Sequence, residues 1–178
     1  MTLRRSLGAA FAALVLLAGC ADAPTAPEAG SSRVLSGAID GSLLRFASLP
    51  DLSGTRHAEK RIIAAQGGFV ELNGFRVDIP AGALPADTVV TIDLPSDPAL
   101  AKRLVAEFGP HGIQFNTPVT LRFPLTGVVL NGGAIEVARW ENGAWTSLGG
   151  SVNALGTTLS GTTPHFSLYG GKYVMAGG

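Results

Sequence analysis

Alternating apolar and polar residues along the chain predict short β-strands joined by turns. Residues 69–72 and 75–79 both alternate, and Asn73-Gly74 lies between them, so this segment is predicted to form a hairpin with a type I′ turn. Its inward-facing side chains are predicted to be Phe75, Val77 and Ile79. Further strands are predicted at residues 89–94, 119–123, 134–140, 144–148, 157–160 and 166–169. About seven to nine short strands indicate an all-β fold of the sandwich class.

One short segment of this all-β chain is predicted to be helical. Asp97 suits an N-cap, Pro98 suits the first helical position, and Gly109 suits the C-terminal stop. Apolar side chains recur there at four-residue spacing, which would place them on one helix face: Leu100, Leu104 and Phe108. The sequence therefore predicts a β-sandwich with one short helix.

The N-terminus reads as a secretion signal rather than as part of the fold. Two arginines precede an apolar stretch, residues 7–17, which is too short to cross a bilayer as a stable helix. The next residues, Leu17-Ala18-Gly19-Cys20, resemble the bacterial lipobox. This resemblance implies cleavage between Gly19 and Cys20 and acylation of the Cys20 thiol, for example with palmitate. An ordinary signal peptide with an incidental cysteine is the alternative.

The lipobox sets the expected domain organisation and localisation. Residues 1–19 would be the signal peptide, and residues 20–33, rich in Pro, Ala and Ser, a flexible tether. An extended arm is expected at 34–60, the β-sandwich at 61–170 and a short tail at 171–178. Two or three acyl chains on Cys20 would hold the protein at a membrane, whereas one chain binds only marginally. Asp22 lies one place after the usual inner-membrane retention position, which favours the outer membrane of the cell envelope.

Composition and charge exclude several classes of function. The chain has 13 basic and 13 acidic residues, and removal of Arg4 and Arg5 with the signal leaves a net charge of −2. This charge balance lacks the excess of positive charge that is typical of proteins that bind nucleic acid. One cysteine excludes an internal disulfide and a cysteine-based zinc cluster. The histidines lack the spacing of a metal site, so no metal and no cofactor is predicted: His57, His111 and His165.

Three stretches of the chain together resemble the ZU5 domain. The first stretch, residues 67–84, combines paired glycines, a short hairpin and Ile-Pro-Ala-Gly-Ala-Leu. The second stretch, residues 108–115, reads Phe-Gly-Pro-His-Gly-Ile-Gln-Phe and is followed by Thr-Pro-Val-Thr-Leu at 117–121. His165-Phe166-Ser167, followed by Tyr169, is similar to the closing strand of the family. The resemblance covers about residues 62–170. It implies a β-sandwich that binds other proteins or packs against neighbouring domains, and it does not imply a catalytic site.

His165-Phe166-Ser167 is the sharpest candidate for chemistry. Some ZU5 domains cleave their own backbone at this tripeptide, and the resemblance implies attack of the Ser167 hydroxyl on the Phe166 carbonyl, with His165 as general base. Cleavage would fall between Phe166 and Ser167. The preferred alternative is that Phe166 fills the core while His165 and Ser167 point outward or bond the backbone. The protein is accordingly not expected to be an enzyme.

Two further groups carry weaker functional hypotheses. Trp140 and Trp145 near a hairpin tip would suit a carbohydrate platform, although aromatic residues there more often cover the core. Lys102 and Arg103 would suit a binding patch or a solvated face. The expected function is that of a membrane-anchored bacterial lipoprotein with a noncatalytic module for protein interaction or structure and an unknown protein partner. An autoproteolytic domain and a glycan-binding module are the alternatives.

Overall fold

The computed structural model describes residues 40–48 and 54–174 of the chain. The expected signal peptide, its cleavage before Cys20, the acylation of Cys20 and the tether up to residue 33 lie outside the described residues. Residues 175–178 of the expected tail also lie outside them. Within the described ranges, no helix is long and apolar enough to cross a membrane.

The described ranges form eleven strands and a single-turn helix, which confirms the all-β prediction and exceeds the expected seven to nine strands. Two antiparallel sheets face each other, in the spatial orders β1-β4-β5-β11-β7-β8 and β2-β3-β6-β10-β9. In chain order the elements are β1 (His57–Ile62), β2 (Gly68–Leu72), β3 (Phe75–Ile79), β4 (Thr88–Asp93), α1 (Pro98–Ala101), β5 (Val105–Gly109), β6 (Gln114–Pro124), β7 (Ile135–Glu141), β8 (Ala144–Gly149), β9 (Ser151–Val152), β10 (Thr158–His165) and β11 (Leu168–Tyr173).

The core between the two sheets is built from aromatic and aliphatic side chains. Phe123 of the five-stranded sheet meets Phe75 and Phe108 in edge-to-face contacts, with ring centroids 5.8 and 6.1 Å apart. Tyr169 on β11 packs against Phe108 in the same way, with centroids 5.9 Å apart. Edge-to-face packing is favoured because the positive ring edge meets the negative ring face. This aromatic chain ties the middle strands of both sheets together.

The hairpin predicted at residues 69–79 is present, and the strands predicted at 134–140 and 144–148 also pair as a hairpin. Asn73 and Gly74 have φ values of 50° and 84°, as a type I′ turn requires, and the alternating burial of β3 matches the prediction. In the second hairpin Asn142-Gly143 forms the turn between β7 and β8, with φ values of 50° and 79°. Both turns set the register of their strands, so the side chains around them are placed by local sequence.

The predicted helix is much shorter than its spacing pattern suggested. Asp97 is the N-cap as predicted: its Oδ1 accepts hydrogen bonds from the backbone nitrogens of Ala99 (2.9 Å) and Leu100 (3.1 Å). The helix nevertheless ends at Ala101, residues 102–104 form a turn, and Val105–Gly109 form β5. The extension to Gly109 was wrong because β5 is almost wholly buried between β4 and β11, where sheet pairing satisfies its backbone.

Residues 42–46 are part of the extended arm that was expected at 34–60, and from here on only they are called the arm. They insert between β11 and the residues just before β5. The Leu44 nitrogen donates to the Gly171 carbonyl (2.8 Å), and the Leu44 carbonyl accepts from the Leu104 nitrogen (2.9 Å). Leu43 and Leu44 are buried. A Cβ on Gly171 would lie 2.8 Å from Leu104 Cδ2 and 2.9 Å from Leu44 Cδ1, so the absence of a side chain there makes room for the arm. The arm is therefore packed into the sandwich core.

Candidate functional site

His165, Phe166 and Ser167 lie where β10 passes into β11. His165 is the last residue of β10, and the other two form the connection before Leu168. The Phe166 side chain is buried and meets the Phe115 ring edge-to-face, with centroids 4.7 Å apart. The expectation that residues 166–169 form one strand is corrected here, because β11 begins only at Leu168.

The hydrogen bonds of His165 fix which ring nitrogen carries the proton. Its Nδ1 lies 3.1 Å from the Phe166 carbonyl oxygen, which can only accept, so Nδ1–H is the donor. Its Nε2 lies 2.9 Å from Nη1 of Arg139, which can only donate, so Nε2 is the acceptor. Both ring nitrogens are thus engaged, and the donating nitrogen points at the carbonyl of the peptide bond that self-cleavage would break.

An arginine–glutamate pair on β7 holds the imidazole in place. Nη2 of Arg139 donates to both carboxylate oxygens of Glu141, at 2.7 and 2.6 Å, and the Arg139 side chain is 15% exposed. The hydrogen bond to Glu141 raises the pKa of Arg139, and the same bond lowers the pKa of Glu141. The guanidinium stays protonated, so it keeps the Nε2 lone pair of His165 occupied.

Ser167 is bonded to the backbone rather than to the histidine ring. Its hydroxyl donates to the Trp140 carbonyl on β7 (3.3 Å), and its own carbonyl accepts from the Phe108 nitrogen on β5 (3.0 Å). A serine nucleophile needs a base in contact with its hydroxyl. The geometry here gives the hydroxyl a carbonyl partner, which accepts a hydrogen bond but does not take up the proton.

A buried tyrosine fixes the backbone in front of this connection. Tyr169 Oη donates to the His165 carbonyl (2.5 Å) and lies 2.7 Å from Oγ1 of Thr163, which is also buried. Burial raises the pKa of Tyr169 and keeps its hydroxyl protonated, so it remains a donor. The His165 carbonyl also accepts from Thr163 Oγ1 (3.0 Å). These bonds restrain the tripeptide in one conformation.

Trp140 and Trp145 lie directly opposite each other on β7 and β8. Their ring centroids are 5.5 Å apart and the planes are tilted by 55°. Trp145 is only 8% exposed and packs with Ala138, Leu43 and Leu168 in a small apolar cluster, against which Trp140 is half-buried. The pair therefore covers the core, and Trp145 does not present an open ring face for stacking.

The three histidines are held in separate places. His57 Nδ1 lies 2.6 Å from Asp93 Oδ1, whereas His111 Nε2 lies 3.3 Å from Glu107 Oε1. His165 contacts Arg139 as described above. Across residues 40–48 and 54–174, no three His, Cys, Asp or Glu side chains come together as metal ligands would.

Sequence reasoning missed two residues of this site, Arg139 and Glu141. They lie two apart on β7 and so share a face of this strand, but the predicted strand, residues 134–140, ended one residue before Glu141. Their approach to His165 depends on the pairing of β7 with β11, which places Arg139 opposite Tyr169. No protein-family model matches the chain, and no curated protein matches its sequence.

Proposed function

We propose that the protein is a membrane-anchored bacterial lipoprotein whose β-sandwich is a noncatalytic, ZU5-like module for protein interaction or structure in the cell envelope. The observation that carries the anchor is the N-terminal sequence. The chain has one cysteine, and that cysteine directly follows Leu-Ala-Gly at the end of an apolar stretch preceded by two arginines. Acyl chains on Cys20 would hold the sandwich at the membrane, with the outer membrane as the favoured location.

The bonding of the His165 cluster supports a noncatalytic role. An N→O acyl shift needs the Ser167 hydroxyl to lose its proton to a base and to attack the Phe166 carbonyl carbon. The histidine lone pair at Nε2 is occupied by Arg139, and the Ser167 hydroxyl is bonded to the Trp140 carbonyl. Each group thus has a structural role in joining β7, β10 and β11. We therefore favour a scaffold over a self-cleaving domain and over a glycan platform.

The anchor is tested by expressing the full chain and its Cys20→Ala variant in a bacterium that lipidates its own proteins. The wild type should be recovered with the membranes and released by detergent, with the intact mass of residues 20–178 plus two or three acyl chains. Cys20→Ala should lack the acyl mass. Identical fractionation of both proteins without any acyl mass would refute the anchor.

The noncatalytic half of the proposal is tested with the same intact-mass measurement. The purified wild type should be one chain that extends through Ser167 to the C-terminus. Two fragments that meet between Phe166 and Ser167, absent from a Ser167→Ala control, would show self-cleavage and overturn this half. The partner is sought by crosslinking the intact lipidated protein in membranes, with Cys20→Ala as the matched control.

A further inference from the structure

Three cations from the arm and the end of α1 line one cleft. Arg45, Lys102 and Arg103 surround a cleft of about 720 Å³, whose described lining contains no aspartate or glutamate. The fold brings them together because α1 ends at Ala101, which leaves Lys102 and Arg103 in the turn before β5. The arm runs antiparallel beside this turn and pairs Arg45 with Arg103. This cluster is here called the basic cleft.

The charges of the basic cleft are available to a ligand. Arg45 and Lys102 are exposed, and Arg103 uses Nη1 to donate to the Leu43 carbonyl (3.1 Å). In the described part of the chain, the arginines that form ion pairs with carboxylates lie outside the cleft: Arg61, Arg76, Arg122 and Arg139. Asp40 near the cleft accepts a hydrogen bond from the Ser42 nitrogen, which lowers its pKa, and Arg103 adds to that effect. Its negative charge, and that of Asp97, which accepts a hydrogen bond from the backbone nitrogen of the lining residue Ala99 (2.9 Å), offset part of the positive charge.

The position of the basic cleft in the chain points to a membrane surface. The described fold begins at residue 40, and the next residue, Gly41, lines the same small pocket as Arg45 and Arg103. Twenty residues separate residue 40 from Cys20, a distance of at most about 70 Å when fully extended. Without these three cations the mature chain has 8 basic and 13 acidic residues, so the rest of the molecule has no net attraction to an anionic surface.

We propose that the basic cleft docks the β-sandwich on anionic phospholipid headgroups of the membrane that holds Cys20. Guanidinium and ammonium groups form charge-assisted hydrogen bonds with phosphate oxygens. Each basic residue near an anionic membrane strengthens binding about fivefold. A tether keeps the cleft close to the surface, so this modest attraction is enough to orient the domain. The inference rests on the proposed lipid anchor.

The test uses the full lipidated protein in vesicles, with a spin label on Ala99→Cys in the basic cleft. Vesicles of phosphatidylcholine alone are compared with vesicles that also contain phosphatidylglycerol, and access of a water-soluble relaxation agent to the label is measured. Access should fall severalfold in anionic vesicles and recover in about 1 M salt, which screens the charges. A label on Leu155→Cys, an exposed loop position, should show no such change.

Charge variants locate the effect in the cleft. Arg45→Gln with Lys102→Gln should lower the ratio of docked to free domain about 25-fold, from two charges at about fivefold each. The matched control, Lys60→Gln with Arg61→Gln, removes two exposed cations from β1 and should leave docking unchanged. Docking that survives in the cleft variant, or that falls equally in the control, would overturn the proposal.

The outcomes also separate docking from anchoring. If the protein stays with the vesicles while the Ala99→Cys label is equally accessible in neutral and anionic lipid, docking is refuted and the anchor stands. If the protein neither carries acyl mass nor stays with the vesicles, the anchor is refuted and the docking proposal fails with it. The salt titration of the wild type needs no charge variant, so it tests docking even if a variant folds poorly.

Discussion

Replacing Leu44 with alanine tests whether the arm is part of the hydrophobic core. Leu44 is fully buried, and its backbone is hydrogen-bonded to both Gly171 and Leu104. Truncation of a buried leucine costs about 2–5 kcal/mol, because transfer free energy is lost and a cavity remains. We expect Leu44→Ala to lower the free energy of unfolding by about 3 kcal/mol. The same substitution at Leu155, which is 82% exposed, should change it by less than about 0.5 kcal/mol.

A double-mutant cycle with Gly171 shows whether the two residues share one space. Gly171→Ala alone should cost about 1–3 kcal/mol, because its Cβ would press on Leu44 and Leu104. Leu44→Ala removes one of these neighbours, so the double variant should be more stable than the sum of the single effects predicts. We expect a coupling of about 1 kcal/mol, limited because the Leu104 contact remains.

Urea denaturation followed by tryptophan fluorescence measures these differences. Trp140 and Trp145 report on β7 and β8, and unchanged m-values are the condition for comparing the variants as two-state proteins. A loss for Leu44→Ala no larger than that for Leu155→Ala would refute the packing of the arm into the core. Additive single effects would refute the shared space of Leu44 and Gly171.

Two charged pairs and one turn are also open to direct measurement. The hydrogen bond to Asp93 raises the pKa of His57, so an NMR titration should give a pKa above 6.5, and this pKa should fall in Asp93→Asn. The stability that the pair contributes is complete below pH 6.5 and is lost as pH rises through the raised pKa. Burial acts to raise the pKa of Asp78, but hydrogen bonds from Arg76 on β3 and Arg122 on β6 outweigh it and lower the pKa. The stability that Asp78 contributes is therefore present above pH 3.8 and is lost as pH falls through the lowered pKa. In urea denaturation, Asp78→Asn should be less stable than the wild type at neutral pH and equally stable only in acid. Gly143→Ala should cost about 1–2 kcal/mol, because φ is 79° at this turn and nothing lies within 4 Å of the added Cβ.

Each of these predictions has an outcome that contradicts it. A His57 titration that is the same in wild type and Asp93→Asn would show that the 2.6 Å contact does not form in solution. Equal stability of Asp78→Asn and wild type at neutral pH would remove the role assigned to the two arginines. Gly54→Ala is the control for the turn, since Gly54 has open space around it and no positive φ; equal losses in both variants would refute the φ argument.

Strands with one buried face could be predicted from the sequence, and strands buried on both faces could not. The alternation of β3 and the Asn-Gly turn before it are local signals, and the structure reproduces them. In β5 four of the five residues are buried and only the middle one, Glu107, is half-buried. The strand therefore lacks the alternation of apolar and polar residues that marks a strand in a sequence. Leu104 and Phe108 are four residues apart, an even spacing that also places both on one face of a strand, and it was therefore misread as helical.

The chemistry of the His165 cluster depends on contacts between distant parts of the chain. The tripeptide itself was found from the sequence, and so was the burial of Phe166. The partner of the histidine, Arg139, is 26 residues away and is brought near by the pairing of β7 with β11. Spacing alone does not show whether His165 faces a hydroxyl or a guanidinium, because that depends on the strand order.

Backbone hydrogen bonds on both sides of the arm give it a mechanical consequence. Tyr173 and Gly171 of β11 bond to Ser42 and Leu44 on one side, while Lys102 and Leu104 bond to Phe46 and Leu44 on the other. A pull along the arm from its N-terminal end loads these bonds together in shear. The tension then passes into β11 and into the residues that lead directly into β5. A protein held at its N-terminus would thus resist extraction of this segment by a sliding of strands rather than by peeling one bond at a time.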